Sequence, residues 1–265
     1  MQNLNLLNVL STTWALVRQN PKPLLHAISL SFAVMVAVMA VSYTLIQNVF
    51  SMPIAWDPET GFSNGMVVLQ MLAAIAMAPI EAGLSYIGLK RAQSQPVTGN
   101  TVWAGLPHTA ALVLISLLTG FINQLGFVLF FVLGLGLVAL TSLANLFYLV
   151  NVDKRITPIT AILESAKVMW KQLLPILGAY IVAVMLMVMS SMPMAIVMSG
   201  GEGAALTMME SIIAALVTLI GLAGAMTFFF QLKGVLYHQL FGETRQVEQP
   251  SNSNQSGDQN GSFEA

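Results

Sequence analysis

The sequence predicts an all-α fold: a polytopic membrane bundle of six transmembrane helices with interfacial amphipathic helices. Of the 265 residues, 56% are hydrophobic and only 8% charged, with a mean hydropathy of +0.77, whereas soluble domains carry about 25% charged residues. The stretch from Ala92 to Val152 contains no Asp, Glu, Lys or Arg. Since about 20 apolar residues cross a bilayer core of roughly 30 Å, this stretch is long enough for two crossings.

Six apolar segments have the length of a membrane span. They cover residues 24–46, 66–89, 109–132, 135–152, 173–194 and 211–232. Within the long uncharged stretch, Leu133 to Gly136 is the best candidate for the turn between the third and fourth spans, because its two glycines interrupt the apolar run. From Gly242 to Ala265 the chain is rich in Ser, Asn, Gln and Gly, which predicts a disordered cytoplasmic tail.

Amphipathic segments precede the outward spans. Residues 1–20 have Leu7, Leu10, Trp14 and Val17 at the spacing of one helix face, which predicts a helix lying in the membrane interface. Thr157 followed by Pro158 predicts another helix start, with a hydroxyl cap and proline in the first turn.

Three tryptophans suit an interfacial depth because an indole ring is amphipathic. Trp14, Trp103 and Trp170 each precede a proline and then an outward span. This recurrence predicts three hairpins, each entered from an interfacial segment, although interfacial Trp is also common in unrelated membrane proteins.

The distribution of basic residues predicts the orientation. With six spans, all ten Lys and Arg fall on one side, and the opposite loops carry only acidic residues such as Asp57 and Glu202. Positive charges accumulate in cytoplasmic loops. We therefore expect a multi-pass protein of the bacterial cytoplasmic (inner) membrane with both termini cytoplasmic.

Composition and motifs argue against several classes of function. Cysteine is absent, which removes thiolate metal sites and Cys nucleophiles, and a net charge of −1 argues against nucleic acid as a partner. No phosphate-binding glycine loop, zinc-protease motif or hydrolase serine motif occurs, and His26, His108 and His238 lie far apart in the chain. We therefore expect no enzyme activity, no cofactor and no metal site.

Glu81 is the candidate functional residue within a span. A carboxylate at depth costs a few kcal/mol and marks a functional site by default, so a proton or cation relay is one hypothesis. The other is a structural glutamate, hydrogen-bonded between helices or reaching a hydrated vestibule. The sequence offers Glu81 no basic partner inside a span, with Lys233 assigned to the end of the sixth span, and this favours the structural hypothesis.

Amide side chains complete the candidate set. Asn123, Gln124 and Asn145 lie in the third and fourth spans, where interhelical hydrogen bonds are the default role and a substrate pathway is the alternative.

Two other patterns carry a structural and a functional interpretation. Met185, Met189 and Met192 share a helical face in the fifth span; thioethers suit Cu(I), but without His or Cys flexible packing filler is the better account. Small residues at Ala214, Thr218, Gly221 and Ala225 line one face of the sixth span. Such a stripe favours close packing within the bundle, with a homodimer seam as the alternative.

Several motifs resemble the YciC-like family of bacterial inner-membrane proteins. They are the sequence Pro79-Ile80-Glu81-Ala82-Gly83-Leu84, the Lys90-Arg91 pair, the uncharged hairpin, Val150-Asn151-Val152-Asp153 and Ala161-Ile162-Leu163-Glu164-Ser165. The family is related to the membrane domain of some glycerophosphodiester phosphodiesterases. The resemblance implies six spans in the cytoplasmic membrane and supplies no catalytic residue, since the phosphodiesterase domain is missing.

The function expected from the sequence is a non-enzymatic one, in membrane organisation or as an accessory to a membrane protein complex. The expected partners are the lipid bilayer and its anionic headgroups, and a homo-oligomer is a further candidate. Each base near an anionic surface contributes about 1 kcal/mol to membrane binding. The alternative is a small-solute or ion transporter that uses Glu81 as an intramembrane relay.

Overall fold

The fold was analysed in a computed structural model, which describes residues 4–54, 56–57, 61–199 and 208–247. The α-helices in these ranges are α1 (Leu6–Gln19), α2 (Lys22–Asn48), α3 (Asn64–Ala92), α4 (Thr109–Leu129), α5 (Phe131–Thr141), α6 (Ala144–Val150), α7 (Pro158–Trp170), α8 (Leu173–Ser199) and α9 (Met208–Val247). Two 3₁₀ helices span Gly99–His108 and Val152–Lys154. A two-residue antiparallel pair, β1 (Trp56–Asp57) and β2 (Gly61–Phe62), lies between α2 and α3.

The predicted all-α membrane bundle is confirmed. Six helical segments are long and apolar enough to cross a bilayer: Lys22–Asn48, Asn64–Ala92, Gly99–Leu129, Phe131–Val150, Leu173–Val197 and Met209–Gly242. By length and composition the chain is thus a multi-pass membrane protein.

The ends of three segments differ from the prediction. The third and fourth spans separate at Phe130, whose φ of −155° and ψ of 132° break the helix, and the predicted turn at Leu133–Gly136 is helical. Gly134 allows close packing here, since a Cβ on it would meet the Phe127 ring. Helix α9 continues to Val247, so the first residues of the predicted disordered tail are helical; residues 248–265 lie outside the described ranges.

The long helices form three antiparallel pairs. In the pair α2–α3, Ile28 packs near Ile80 and Leu84. In α4–α5–α6, the Ser116 and Asn145 side chains hydrogen bond across the pair. In α8–α9, the Tyr180 and Phe229 rings meet at 5.9 Å. All three pairs begin and end at the side where Lys22, Lys90 and Arg91 lie, which we call the basic end, and turn at the opposite end.

Helix α3 is the centre of the bundle at the basic end because its residues there are small. Ala78, Ala82 and Gly88 are all buried in this half of the helix. At Gly88 the backbone of α9 approaches so closely that a Cβ would overlap the Phe230 carbonyl, and a Cβ on Gly234 would overlap the Gly88 backbone. Helices α3 and α9 therefore touch backbone to backbone, as small residues permit.

The segment preceding each helix pair packs on a different pair. Helix α1 packs on α8 and α9, the Gly99–His108 helix packs on α2 and α3, and α7 packs on α4, α5 and α6. We call each short segment together with the helix pair that follows it a unit. The short segment of the second unit packs on the first unit, that of the third on the second, and that of the first on the third. The contacts follow the three-unit recurrence that the tryptophans indicate in the sequence, and they close it into a ring.

The small-residue stripe of the sixth span packs inside the bundle. Gly221 lies against Ser190 of α8, where a Cβ would come within 3.1 Å of the serine Cβ. Thr218 accepts a hydrogen bond of 3.1 Å from the Met194 backbone N–H. Part of the stripe thus serves the α8–α9 contact, while Gly224 has no atom within 4 Å of where its Cβ would be.

Candidate functional site

An ion pair with a buried lysine and a partly exposed glutamate joins the first and third units near the basic end. The Lys233 ammonium donates to Glu81 Oε1 at 2.5 Å. At 1.5 Å per residue, Glu81 lies about 25 Å along α3 from Asn64 and about 16 Å from the end of the helix at Ala92. The lysine side chain is 4% exposed and the glutamate side chain 40%, so the carboxylate is the open side of the pair.

Helix geometry explains how Lys233 reaches this depth. A helical side chain leans toward the N-terminus and covers the preceding turn, so the lysine stem runs back along α9 over the residues three and four positions earlier. Its ammonium lies 4.8 Å from the Phe229 ring centroid and 5.9 Å from that of Phe230. The two aromatic faces add cation–π attraction to the ion pair.

The partner of Glu81 differs from the sequence prediction. The sequence predicts that Lys233 ends the sixth span and that Glu81 has no basic partner in any span. The structure corrects this interpretation, because α9 continues through Lys233 into Val235, Leu236 and Tyr237, all buried. The apolar residues after Lys233 were the signal in the sequence that this lysine lies within the span. A charge at the end of a span is not followed by another buried helical turn.

Among the residues that the structure describes, two buried side-chain polar atoms have no hydrogen-bond partner. They are the Tyr180 hydroxyl and Asn145 Oδ1. Tyr180 interacts electrostatically with Lys233 and Glu81 and lies close to the Ser142 hydroxyl, which itself donates to the Ala139 carbonyl at 2.7 Å. Because an unpaired buried polar atom is costly, ordered water is the physically expected partner of both atoms.

A second buried cation is held by neutral groups. The Arg91 guanidinium donates to Gln231 Oε1 at 2.9 Å and also to the Leu16 carbonyl. Gln231, fully buried, donates in turn to the Gly88 carbonyl at 3.1 Å. Leu16 lies in the last turn of α1, where carbonyls lack helical partners and a cation is favoured. Arg91 thus caps α1 and fastens the α1 segment to α3 and α9.

The amide candidates bond within the second unit. Asn123 Oδ1 accepts from the Thr141 hydroxyl at 3.2 Å, and the Asn145 amide donates to Ser116 Oγ at 3.0 Å. Gln124 is exposed. The hydrogen bonds of Asn123 and Asn145 join α4 to α5 and α6, and none of them involves Glu81.

Helix α7 has three distinct faces. One, with Ala161, Ile162, Ser165 and Met169, is buried against the bundle. A second exposes Ile159 (59%), Leu163 (63%) and Trp170 (66%) at intervals of four and seven residues. The third carries Thr160, Glu164, Lys167 and Lys171 at intervals of four, three and four residues. A helix with a core face, an exposed apolar face and a charged face fits a position between protein, lipid and water.

Helix α1 repeats this pattern in part. Val9 and Thr13 are buried, whereas Leu7 is 75% and Trp14 46% exposed. The Arg18 guanidinium lies 5.2 Å from the Trp14 ring centroid, on the exposed side. The predicted single apolar face is therefore divided: Leu10 and Val17 pack toward the core and Leu7 does not. Trp14 is partly exposed, with its ring centroid 6.1 Å from that of the buried Phe228 ring.

Trp103 is placed differently from the other two tryptophans. Its segment is a 3₁₀ helix pressed against α3, where a Cβ on Gly83 would overlap the Val102 carbonyl and one on Gly105 the Pro79 carbonyl. The Trp103 ring is half-buried against the core formed by α2 and α3.

The methionines of the fifth span face outward. Met185, Met189 and Met192 are 58%, 65% and 55% exposed, so they do not fill gaps in the core, which corrects the interpretation as packing filler. This half of α8 contacts α9 through Ser190 and Met194. Among the residues that the structure describes, no group of three His, Cys, Asp or Glu could hold a metal ion.

Comparison with known proteins gives no match to a family model, to a curated protein or to a solved structure.

Proposed function

We propose that this protein is a non-enzymatic component of the bacterial cytoplasmic membrane that organises the bilayer, or a membrane complex, through its basic end. In this proposal both termini are cytoplasmic, and α1 and α7 lie in the headgroup region of the cytoplasmic leaflet. The YciC-like family remains the proposed affiliation, resting on the motifs around Glu81, Lys90 and Glu164. The observation that carries the proposal is the three-faced helix α7.

In this proposal the faces of α7 match different surroundings. Its exposed apolar face, with Leu163 and Trp170, has hydrocarbon and headgroup as its natural environment. Its charged face presents Lys167 and Lys171, both exposed, at the level where anionic headgroups lie. Each such base contributes about 1 kcal/mol near an anionic surface. A rigid ring of three units that holds this helix in place would bind anionic lipid in a fixed arrangement around the protein.

Anionic lipid is therefore expected to stabilise the protein through α7. In nanodiscs containing phosphatidylglycerol, the apparent Tm should exceed that in phosphatidylcholine, since a ligand that binds only the folded state stabilises it. In the double variant Lys167→Gln/Lys171→Gln, anionic lipid should stabilise the folded state by about 2 kcal/mol less than in the wild type. Thermal unfolding followed by circular dichroism measures the Tm of each protein in each lipid.

The matched control keeps the charge. Lys167→Arg/Lys171→Arg should retain the full lipid effect, because the lipid attraction depends on positive charge at these positions. An equal Tm gain in the wild type and in the Gln double variant would contradict the proposal.

Transport is the second candidate, and the half-exposed carboxylate of Glu81 favours it. The side of this carboxylate that faces away from Lys233 is open to water or a polar solute, and transporters place such contacts near mid-membrane. Glu81→Gln alone is an ambiguous test, because it leaves the buried Lys233 without its partner. The double variant Glu81→Gln/Lys233→Met removes both charges; loss of ion or solute uptake in proteoliposomes, with folding retained, would favour transport over organisation. Undiminished uptake would show that Glu81 is no relay.

A further inference from the structure

The connection between α4 and α5 differs in composition from the other two connections at the end opposite the basic residues. The α2–α3 connection carries Asp57, and the α8–α9 connection carries Glu202. By contrast, residues 125–140, which include the break at Phe130, contain no side chain that can form a hydrogen bond. The second hairpin therefore turns with apolar residues alone.

Two glycines make this turn tight. The Phe130 N–H donates to the Gly126 carbonyl at 2.9 Å, and the Phe130 carbonyl accepts from the Gly134 N–H at 3.0 Å. A Cβ on Gly126 would lie 3.0 Å from the Gly134 Cα, so the two helices touch directly below the turn. The large residues around the turn, which we call the apolar tip, are all exposed: Phe127 (37%), Val128 (73%), Leu129 (63%), Phe130 (73%), Phe131 (69%), Val132 (72%) and Leu133 (46%).

The apolar tip lies at about the same depth as the start of α3. Leu112 of α4 and Ala82 of α3 belong to one buried cluster and thus lie at one level. From that level, at 1.5 Å per residue, α4 extends about 26 Å to Leu129 and α3 extends about 27 Å to Asn64. The whole of α4, with 21 residues, is about 31 Å long and matches a hydrocarbon core of roughly 30 Å. The apolar tip therefore lies near the far boundary of the hydrocarbon.

The exposed face of α4 below the apolar tip is also mainly apolar. Four large side chains recur there at intervals of three, four and four residues and are 43–65% exposed: Leu114, Leu117, Phe121 and Leu125. Gln124 lies on the same face, about 9 Å below Phe130, and among residues 114–133 it is the only exposed residue with a polar side chain. One amide does not make the polar rim that surrounds a protein–protein interface. On a membrane-spanning helix this face is a lipid-facing surface, and it is continuous with the apolar tip.

We propose that the apolar tip stays in the membrane and inserts its side chains among the lipid acyl chains of the leaflet opposite the basic end. The last carbonyls of α4 and the first N–H groups of α5 have no partners within their helices. Because such backbone groups are not tolerated against hydrocarbon, the turn itself lies at the level of the lipid esters, with Phe130 and Phe131 on the hydrocarbon side. The second hairpin thus anchors the protein in this leaflet without entering the aqueous phase. This anchor is independent of the proposed contact of α7 with anionic lipid, and its failure would leave that role untouched.

The absence of cysteine makes the anchor testable with single thiols. Phe130→Cys in the apolar tip and Phe50→Cys in the α2–α3 connection replace the same residue type, 73% and 63% exposed. In lipid nanodiscs, where both faces of the bilayer meet water, a charged maleimide should label Phe130→Cys at least about tenfold more slowly than Phe50→Cys, because a thiol forms its reactive thiolate in water. Val132→Cys repeats the measurement if Phe130→Cys folds poorly. Equal labelling rates in the two hairpins would overturn the anchor.

A spin label distinguishes lipid from protein as the cover of the apolar tip, since a second copy of the chain would also slow the labelling. The same thiols are labelled with a nitroxide in detergent and reconstituted. Power saturation then measures collisions with oxygen, which dissolves in hydrocarbon, and with a water-soluble nickel chelate. Frequent oxygen and rare nickel collisions at position 130, with the reverse preference at position 50, are expected for lipid contact. Rare collisions with both reagents would mean that protein covers the tip, and frequent nickel collisions that water does; either result would overturn the anchor.

Discussion

Gly234→Ala is expected to destabilise the bundle by about 3 kcal/mol or more, above the usual cost of adding a methyl group to a core. The added Cβ would overlap the backbone of Gly88, and backbone cannot rotate aside as a side chain can. Helices α3 and α9 would have to separate, which loosens the Glu81–Lys233 pair and the Arg91–Gln231 contacts together. Unfolding in mixed detergent and SDS, followed by circular dichroism, measures the loss.

The same helix supplies the control for this substitution. Gly224→Ala adds the same methyl group where no atom lies within 4 Å, so only helix propensity changes. Alanine is favoured over glycine in a helix by about 1 kcal/mol, and this variant should be as stable as the wild type or slightly more so. Similar unfolding midpoints for the two variants would mean that the close α3–α9 contact does not exist in the membrane.

Removing Glu81 is expected to cost more stability than removing Lys233. Glu81→Gln leaves a buried ammonium without its carboxylate, and breaking a buried pair by deleting one member typically costs about 3–5 kcal/mol. Lys233→Met keeps the volume of the stem and leaves Glu81 on the open side, where water can solvate it. The double variant Glu81→Gln/Lys233→Met should recover most of the loss, because no charge remains to be compensated.

A double-mutant cycle on these three variants measures the coupling. Refolding yield and the SDS unfolding midpoint are the two readouts. If Lys233→Met were the more damaging single change, or if the two single losses simply added, the ion pair would not be the contact that holds these residues.

The architecture could be predicted from the sequence because it depends on the pattern of hydrophobic residues along the chain. Six apolar segments, the helix start at Thr157 with Pro158, and the recurrence of tryptophan before each hairpin all have counterparts in the structure. The Thr157 hydroxyl accepts from the Thr160 backbone N–H at 3.2 Å, as a capping residue should. These features depend on residues close together in the chain, which a pattern can read.

What the sequence could not supply were contacts between distant residues. Lys233 and Glu81 are separated by 152 positions, and the packing of α3 against α9 brings them to one level. The break at Phe130 could not be predicted for a related reason. A sequence does not distinguish a glycine in a turn from a helical glycine that packs against an aromatic ring, and Gly134 packs against the Phe127 ring. Burial also divided the single apolar face predicted for α1 into a core-facing and an exposed part.

The closed ring of contacts has a consequence for biosynthesis. Helix α1 docks on α8 and α9, and the Leu16 carbonyl reaches Arg91 only beside Gln231. During translation α1 leaves the ribosome long before α9 does, so it waits without its docking surface. Final assembly is therefore post-translational with respect to α1, and a chain interrupted before α9 would display an undocked amphipathic helix that membrane quality-control proteases can recognise.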